Sequence, residues 1–422
     1  MDGWRSPFVA LWMATACGLA QAQSLAELIQ RTVSSHPAVM GQRSQRAVAS
    51  ADLEYARQQF YPTPSLSIEQ VSAGQQDPSY LQNTSVKVFR LQQPLWTHGR
   101  LTATVEKAQA SADATAQGFD DVRQQLALRV LQAWADAFAA DLKQVALQTS
   151  VATHERLQAQ VSRRITEGAS AATERVLTDG RLAQTRAQLQ AVAVQAQTAR
   201  LRLQQLTGTP VPGALALEGD RSVDASSASL ALDAALQRSP ALARLKALVR
   251  VQEAEVAERK GDLLPELYAR AEYQIGSTSV SGAPDAKRIF VGLQSKFGAG
   301  LSSLSGIEAS ENKVGVARAE VENAERTLAE QVLSDWTESA TLAARQVELQ
   351  DSLQASRDTA QAWDRQFLAG RKTWVEVMNI ARELAQAETE LADVLAVRVL
   401  VSWRLALYTQ GLDSLLAGAP TP

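Results

Sequence analysis

The sequence predicts an internally duplicated chain, mainly α with membrane β: long antiparallel coiled helical hairpins plus four strands. Three observations carry this. Pro37 and Pro62 recur as Pro240 and Pro265 at an offset of 203 residues, and Trp134 and Gly168 recur as Trp336 and Gly370 at 202. Apolar residues fall at helical spacing over stretches too long for a compact domain. Four stretches of about ten residues switch instead to a period of two. Two copies are too few for a solenoid, which needs three or more units, so both halves build one object.

Residues 1–22 read as a secretory signal peptide, with Arg5, a largely apolar Phe8 to Ala20 and the small-x-small site Ala20-Gln21-Ala22. Cys17, the single cysteine, lacks the Leu that usually stands three positions before a lipidation site. Cleavage after Ala22 then leaves a chain without disulfide or thiol chemistry. Forty-two Lys and Arg against 45 Asp and Glu give a formal charge of −3, which offers no basic face for nucleic acid.

The first repeat covers 23–206. Helical spacing runs from Leu25 to Phe60, broken once at His36-Pro37, where proline suits a first helical turn. Pro62 and Pro64 end it. Leu66 and Ile68 then alternate with Ser65, Ser67 and Glu69 in a strand at about 64–71, and a second strand spans about 85–95. Gly99-Arg100 opens a helix to about Ile165 whose stripe is Phe119, Val122, Leu126, Val130, Trp134 and Phe138. At 1.5 Å per residue it is roughly 100 Å long. A hairpin tip at about 166–173, turning at Gly168, sends a second helix back to Leu206. Residues 207–229 form a linker rich in Gly, Pro and Ser. The second repeat, 230–412, has one helix from Leu230 to Asp262, strands at about 266–275 and 288–297, and a tip at about 368–374 turning at Gly370. Residues 413–422 form a C-terminal tail.

In the third strand Leu267, Ala269, Ala271, Tyr273 and Ile275 share one face, and Tyr268, Arg270, Glu272 and Gln274 the other. About ten residues is the length that crosses a bilayer when tilted. An open four-stranded sheet cannot sit in lipid with bare edges. Closure therefore needs more chains, two giving eight strands or three giving twelve. Polar alternating hairpins also cap soluble coiled coils, so the rival is a soluble periplasmic coiled-coil adaptor or scaffold. Tyr61, Trp96, Tyr268 and Phe297 at strand ends favour a membrane, as an interfacial girdle.

"SLAELIQRTVSSHPAV" with "FYPTPSL", the strand-to-helix entry "QPLWTHGR" (Gln93 to Arg100) and above all the tip "FLAGRKTWVEVMNIARELAQAE" (Phe367 to Glu388) resemble the TolC family of outer-membrane efflux and secretion channels. The resemblance covers essentially all of the chain after residue 22. It implies a homotrimer in the outer membrane of a Gram-negative bacterium, with a 12-stranded β-barrel in outer-membrane lipid continued by a periplasmic α-helical tunnel. It also implies partners: a periplasmic adaptor (membrane fusion) protein and an inner-membrane ABC or proton-driven transporter. The cargo is a protein, as in type I secretion, or a small molecule, as in efflux. The tip "AGRKTWVEV" looks more like the secretion channels.

In that family, polar links and an acidic ring close the periplasmic entrance. By motif Glu376 occupies one acidic position and Asn379 stands at a second. Lys372 falls at a basic link, facing Thr173 and Glu174 of the first tip, and Phe367 replaces a tyrosine. Gly168, Val176, Leu177, Gly370, Trp374, Val377 and Met378 are candidates for docking a partner, as a helix-in-groove contact would use, and the five apolar ones serve packing or docking. The opposing reading of the charges is ordinary capping, since Glu suits a helix N-terminus.

Catalysis and cofactors are not expected. His36, His98 and His154 lie in different segments without paired spacing, and "FGAGLSS" lacks the lysine of a nucleotide loop. Energy for transport must come from a partner.

Overall fold

The computed structural model describes residues 24–417 apart from 72–83, 169, 212–214, 216, 223–224, 278–281, 283–284 and 296–297. The signal peptide, Cys17 and Phe297 lie outside the described residues. The first repeat is α1 (Leu25–Ser35), α2 (Pro37–Gln58), β1 (Thr63–Val71), β2 (Thr84–Trp96), α3 (Arg100–Thr166) and α4 (Ala172–Thr207). The second is α5 (Ala228–Arg238), α6 (Pro240–Asp262), β3 (Glu266–Ile275), β4 (Asp285–Gln294), α7 (Ser302–Leu368) and α8 (Trp374–Gln410), followed by α9 (Leu412–Ala417). Both α3 and α7 have 67 residues, so the duplication holds to the length of its longest element.

The prolines act as helix starts. His36 is extended and its Nδ1 accepts the Ala38 N–H at 3.1 Å, with Pro37 in the first turn. Three expectations need correction. The single helix expected from Leu230 to Asp262 is two, because Ser239 is extended and caps α6 through Leu242 N–H ahead of Pro240. β4 starts at Asp285 rather than 288, since pairing begins where β3 ends, Asp285 lying opposite Ile275. The tail is helical at its start: α9 buries Leu412 and Leu415, and Asp413 accepts from Arg123 at 2.6 Å.

The chain divides into two compact units. One holds Ile29–Gln132, Asp220–Val347 and the segment from Val397 on, and carries the sheet. Its strands are antiparallel in the order β1-β2-β3-β4. Strict alternation gives the sheet two unlike faces. Leu66, Ile68, Phe89, Leu91, Leu267, Ala269, Ala271, Tyr273, Ile275, Ile289, Val291 and Leu293 share one. Within a single chain this face is bare, Ile289 being 83% and Val291 70% exposed. Arg90, Tyr268, Arg270, Glu272, Gln274 and Arg288 share the other. A register shift between Pro94 and Trp96 sets Trp96 opposite Leu267, at the edge of the apolar face. The girdle placement expected of Tyr268 fails. Its side chain is on the polar face, with the ring over Gly292, where an added Cβ would come within 2.6 Å of the hydroxyl.

In the helical part of this unit Trp403, Leu405, Leu126 and Leu131 are fully buried. Arg404 grips Asp335 with two nitrogens, Nε lying 2.6 Å from Oδ2, and the Asp335 side chain is only 1% exposed. Arg398 reaches Asp220 and Arg221 covers Trp403 at 4.4 Å, which fastens the linker. Among the described residues no helix is long and apolar enough to cross a membrane.

The other unit holds the segment up to Leu28, Ala133–Gly219 and Glu348–Ala396. It contains both hairpin tips and the stacked pair Trp134–Phe138, with ring centroids 5.0 Å apart. Lys143–Asp393, Arg200–Asp141 and Arg357–Glu388 tie its helices together at 2.6, 2.7 and 3.0 Å.

Asp335→Ala should destabilise the protein by about 3 kcal/mol, because it strands the Arg404 guanidinium in a largely buried place. Thermal unfolding of the purified protein measures this, with the exposed pair variant Glu322→Ala as a control that shifts little.

Candidate functional site

The two tips are repeat-related and chemically unequal. Each turns on a left-handed glycine, Gly168 at φ 73° and Gly370 at φ 72°, with open space where a Cβ would go. At the second tip Gly370 N–H donates to Phe367 O and Arg371 N–H to Gln366 O, the paired bonds of a Schellman ending. Gly168 N–H donates to Ile165 O in the same position of the first tip. Both turns expected from the sequence are present.

α8 begins with a capping box. Thr373 Oγ1 accepts the Glu376 N–H at 3.4 Å, and Glu376 Oε2 accepts the Thr373 N–H at 2.9 Å. Glu376 also takes the Thr373 hydroxyl at 2.8 Å and Lys372 Nζ at 2.6 Å. The Lys372 ammonium, backed by Thr373 N–H and hydroxyl, holds the Glu376 carboxyl well below its ordinary range, down to about 2. Lys372 also sits 4.2 Å over the Trp363 ring. Within this chain its ion pair is with its own helix start.

At the first tip the same offset of 202 puts Ser170 where Lys372 stands, Ala171 where Thr373 stands and Glu174 where Glu376 stands. Ala171 offers no side-chain cap. Glu174 thus loses both local partners of its counterpart, and its Oε2 is buried without a hydrogen bond. Thr173, Val176 and Leu177 are exposed, Val176 at 71% and Leu177 at 60%.

Burial narrows several candidate roles. Phe367, Trp374, Val377 and Met378 form a core with Leu157 and Val161, so within this chain Trp374, Val377 and Met378 serve packing, one of the two roles expected of them. Phe367 is further covered by Arg164, whose guanidinium lies 5.2 Å over the ring. Asn379 is exposed and stands three residues past Glu376, on the same helix face. Lys372, Glu376 and Asn379 thus form one polar stripe. His154 is buried with Nδ1 2.8 Å from the Ser150 carbonyl, a satisfied structural residue. The capping reading of Glu376 holds within this chain, and the box is readable as Thr373-Trp374-Val375-Glu376, the T-x-x-E signature.

A sheet with one bare apolar face, joined to paired helical hairpins, defines a membrane-channel architecture. The family model "Outer membrane efflux protein" matches residues 28–209 and 231–409, one match per repeat, and the chain belongs to that family. It is an outer-membrane export channel protein with a periplasmic extension, which sets aside the soluble adaptor. The alkaline protease secretion protein AprF of Pseudomonas aeruginosa is 26% identical over 343 residues, spanning 78% of this chain and 70% of AprF. The outer-membrane channel OprN has the same fold, with TM-score 0.78 at 17% identity over 93% of this chain and 90% of that one. So does the CmeC outer membrane channel of Campylobacter jejuni, with TM-score 0.79 at 13% identity over 92% and 85%.

Ala171→Thr should rebuild the missing half of the box and stabilise the first tip by about 1 kcal/mol, while Thr373→Ala should cost the second tip about as much. Hydrogen exchange at the first turns of α4 and α8 reads both. The contribution of Glu376 has a definite pH window. Its carboxyl is lowered from 4.5 to about 2 on folding, so the stabilisation is complete above 4.5 and is lost as pH falls through about 2. At pH 4 the start of α8 should remain protected from exchange, and in Glu376→Gln it should be equally weak at pH 4 and pH 7.

Proposed function

We propose that three copies of this chain close their sheets into one 12-stranded barrel in the outer membrane, and that the helical hairpins form a periplasmic tunnel leading to it. The observation that carries this is the two-faced sheet with two free edges. β1 and β4 have no further strand beside them among the described residues, and backbone groups left unpaired in hydrocarbon cost several kcal/mol each. Pairing β4 of one copy with β1 of the next removes every edge and turns the apolar face to lipid.

The chain works as a passive conduit in a tripartite export system with a periplasmic adaptor and an energised inner-membrane transporter. The likeness to a secretion protein of P. aeruginosa favours protein cargo and an ABC-type partner. The tips form the entrance. Threefold repetition of Glu376 sets like charges around it, with the neutral Asn379 amides beside them, and Lys372 lowers the repulsion by pairing with Glu376 in each copy. Val176 and Leu177, exposed on the first tip, are the docking contacts for the adaptor. Glu174 Oε2, which has no hydrogen bond among the described residues, is the first-tip acid that a cation of a neighbouring coil would satisfy.

Two measurements test this. Ala271 is mid-strand on the apolar face, so Ala271→Arg should cost roughly 2–4 kcal/mol and abolish heat-resistant oligomer in membranes, whereas Gln274→Arg on the polar face should be tolerated. Equal tolerance at both sites contradicts the lipid assignment. In planar bilayers Lys372→Ala should raise the cation preference of the channel and Glu376→Gln should lower it. Selectivity unchanged in both variants removes the tip charges from the entrance.

A further inference from the structure

The polar face of the sheet carries an arrangement that the export function does not by itself require. In one row across the strands lie Ser65, Arg90, Glu272 and Arg288, and in the next Thr63, Gln92, Arg270 and Phe290. Three guanidiniums and one carboxylate occupy these two rows. Arg90 Nε donates to Glu272 Oε1 at 2.7 Å, and Arg270 Nε lies 3.1 Å from the same oxygen. Arg270 is also stacked 4.6 Å over Phe290 and 5.8 Å from Tyr268. Among the described residues Arg288 has only a neutral partner, donating to Gln274 Oε1 at 3.0 Å. The other carboxylates of this face stand apart. Glu69 is two rows nearer the strand turns on β1, and Glu266 is taken by Arg100 at 2.8 Å near the helices.

One carboxylate cannot neutralise three guanidiniums, so the two rows retain two positive charges per chain. The shared Glu272 holds Arg90 and Arg270 in place, aromatic stacking adds to this at Arg270, and both lower the entropy lost when these guanidiniums bind a ligand. Arginine forks suit carboxylates, which they can engage with two parallel N–H bonds.

We propose that this belt is a binding site inside the barrel for carboxylate-rich, extended polypeptide, and that it sets the charge preference of the outer half of the conduit. The assignment rests on the barrel closure above, which turns the polar face inward and repeats the belt three times around one ring. Six net positive charges in a low-dielectric wall focus their field on the lumen. A passing acidic segment replaces water at successive guanidiniums and is held weakly enough to move on, as multi-site conduction requires.

The test is current block of the purified full-length protein in planar bilayers at about 0.1 M salt, where screening reaches only about 10 Å. The probe is polyglutamate, added to the chamber that the barrel mouth faces, opposite the side of protein insertion. Polyglutamate should block from that side, polylysine of equal length should not, and Arg288→Gln should weaken the block about tenfold across three copies. Arg90→Gln provides a second reading should Arg288→Gln fail to assemble. Glu272→Gln should act in the opposite direction and lengthen each block. Channels that polylysine blocks as well as polyglutamate, or whose block is unchanged in both arginine variants, overturn the belt and leave the barrel standing. A protein that forms no channels overturns the barrel, and the belt with it.

Discussion

The sheet of this chain, on which the rest depends, answers to the requirement that a backbone in hydrocarbon leave no N–H or C=O unpaired. Four strands satisfy each other internally and leave two edges, β1 and β4. The apolar residues on one face, Ile289 and Val291 foremost, are exposed because the medium they suit is lipid rather than water. The same sheet must be polar where it meets a lumen, and there it carries Arg90, Arg270, Glu272 and Arg288. Closure across copies reconciles these demands, and duplication of the sequence supplies the strands two at a time.

The helices obey a different constraint. Each repeat sends out one 67-residue helix and must bring a partner back from a tight reversal. Glycine at positive φ makes both reversals, but the tips have diverged around it. The second is locked by the Thr373–Glu376 box, the Lys372 ion pair and the buried Phe367, Trp374, Val377 and Met378. At the first, Ser170 and Ala171 stand in place of the lysine and threonine, and the exposed Val176 stands in place of the buried Met378. One tip is thus self-satisfied, while the other has an acid oxygen without a hydrogen bond among the described residues and two exposed apolar side chains. That inequality gives the two tips different surfaces from a single duplicated motif.

Most of the fold was legible in the sequence because it is written in local periods. Helix limits followed from Pro37, Pro62 and Pro265, and the apolar face of β3 from strict alternation. The break at Ser239 was legible too, since Pro240 repeats Pro37, yet the apolar run across it masked the stop. The sequence keeps packing and docking both open for Trp374, Val377 and Met378, although a three-to-four spacing from Trp374 on already marks a buried stripe. Tyr268 was taken by its place at a strand end, when its parity with Arg270 assigned it to the polar face. The arginine belt was out of reach. Arg90 and Glu272 are 182 residues apart, and only the register of β2 on β3 makes them neighbours.

The central claim is closure of the sheet by copies of the same chain, and the stoichiometry of the detergent-extracted protein tests it most directly. Light scattering corrected for bound detergent should give three chains per particle, with the strand content of the intact sheet retained by circular dichroism. A monodisperse monomer with its full secondary structure would show that four strands with free edges are stable in an apolar medium, and would contradict the account.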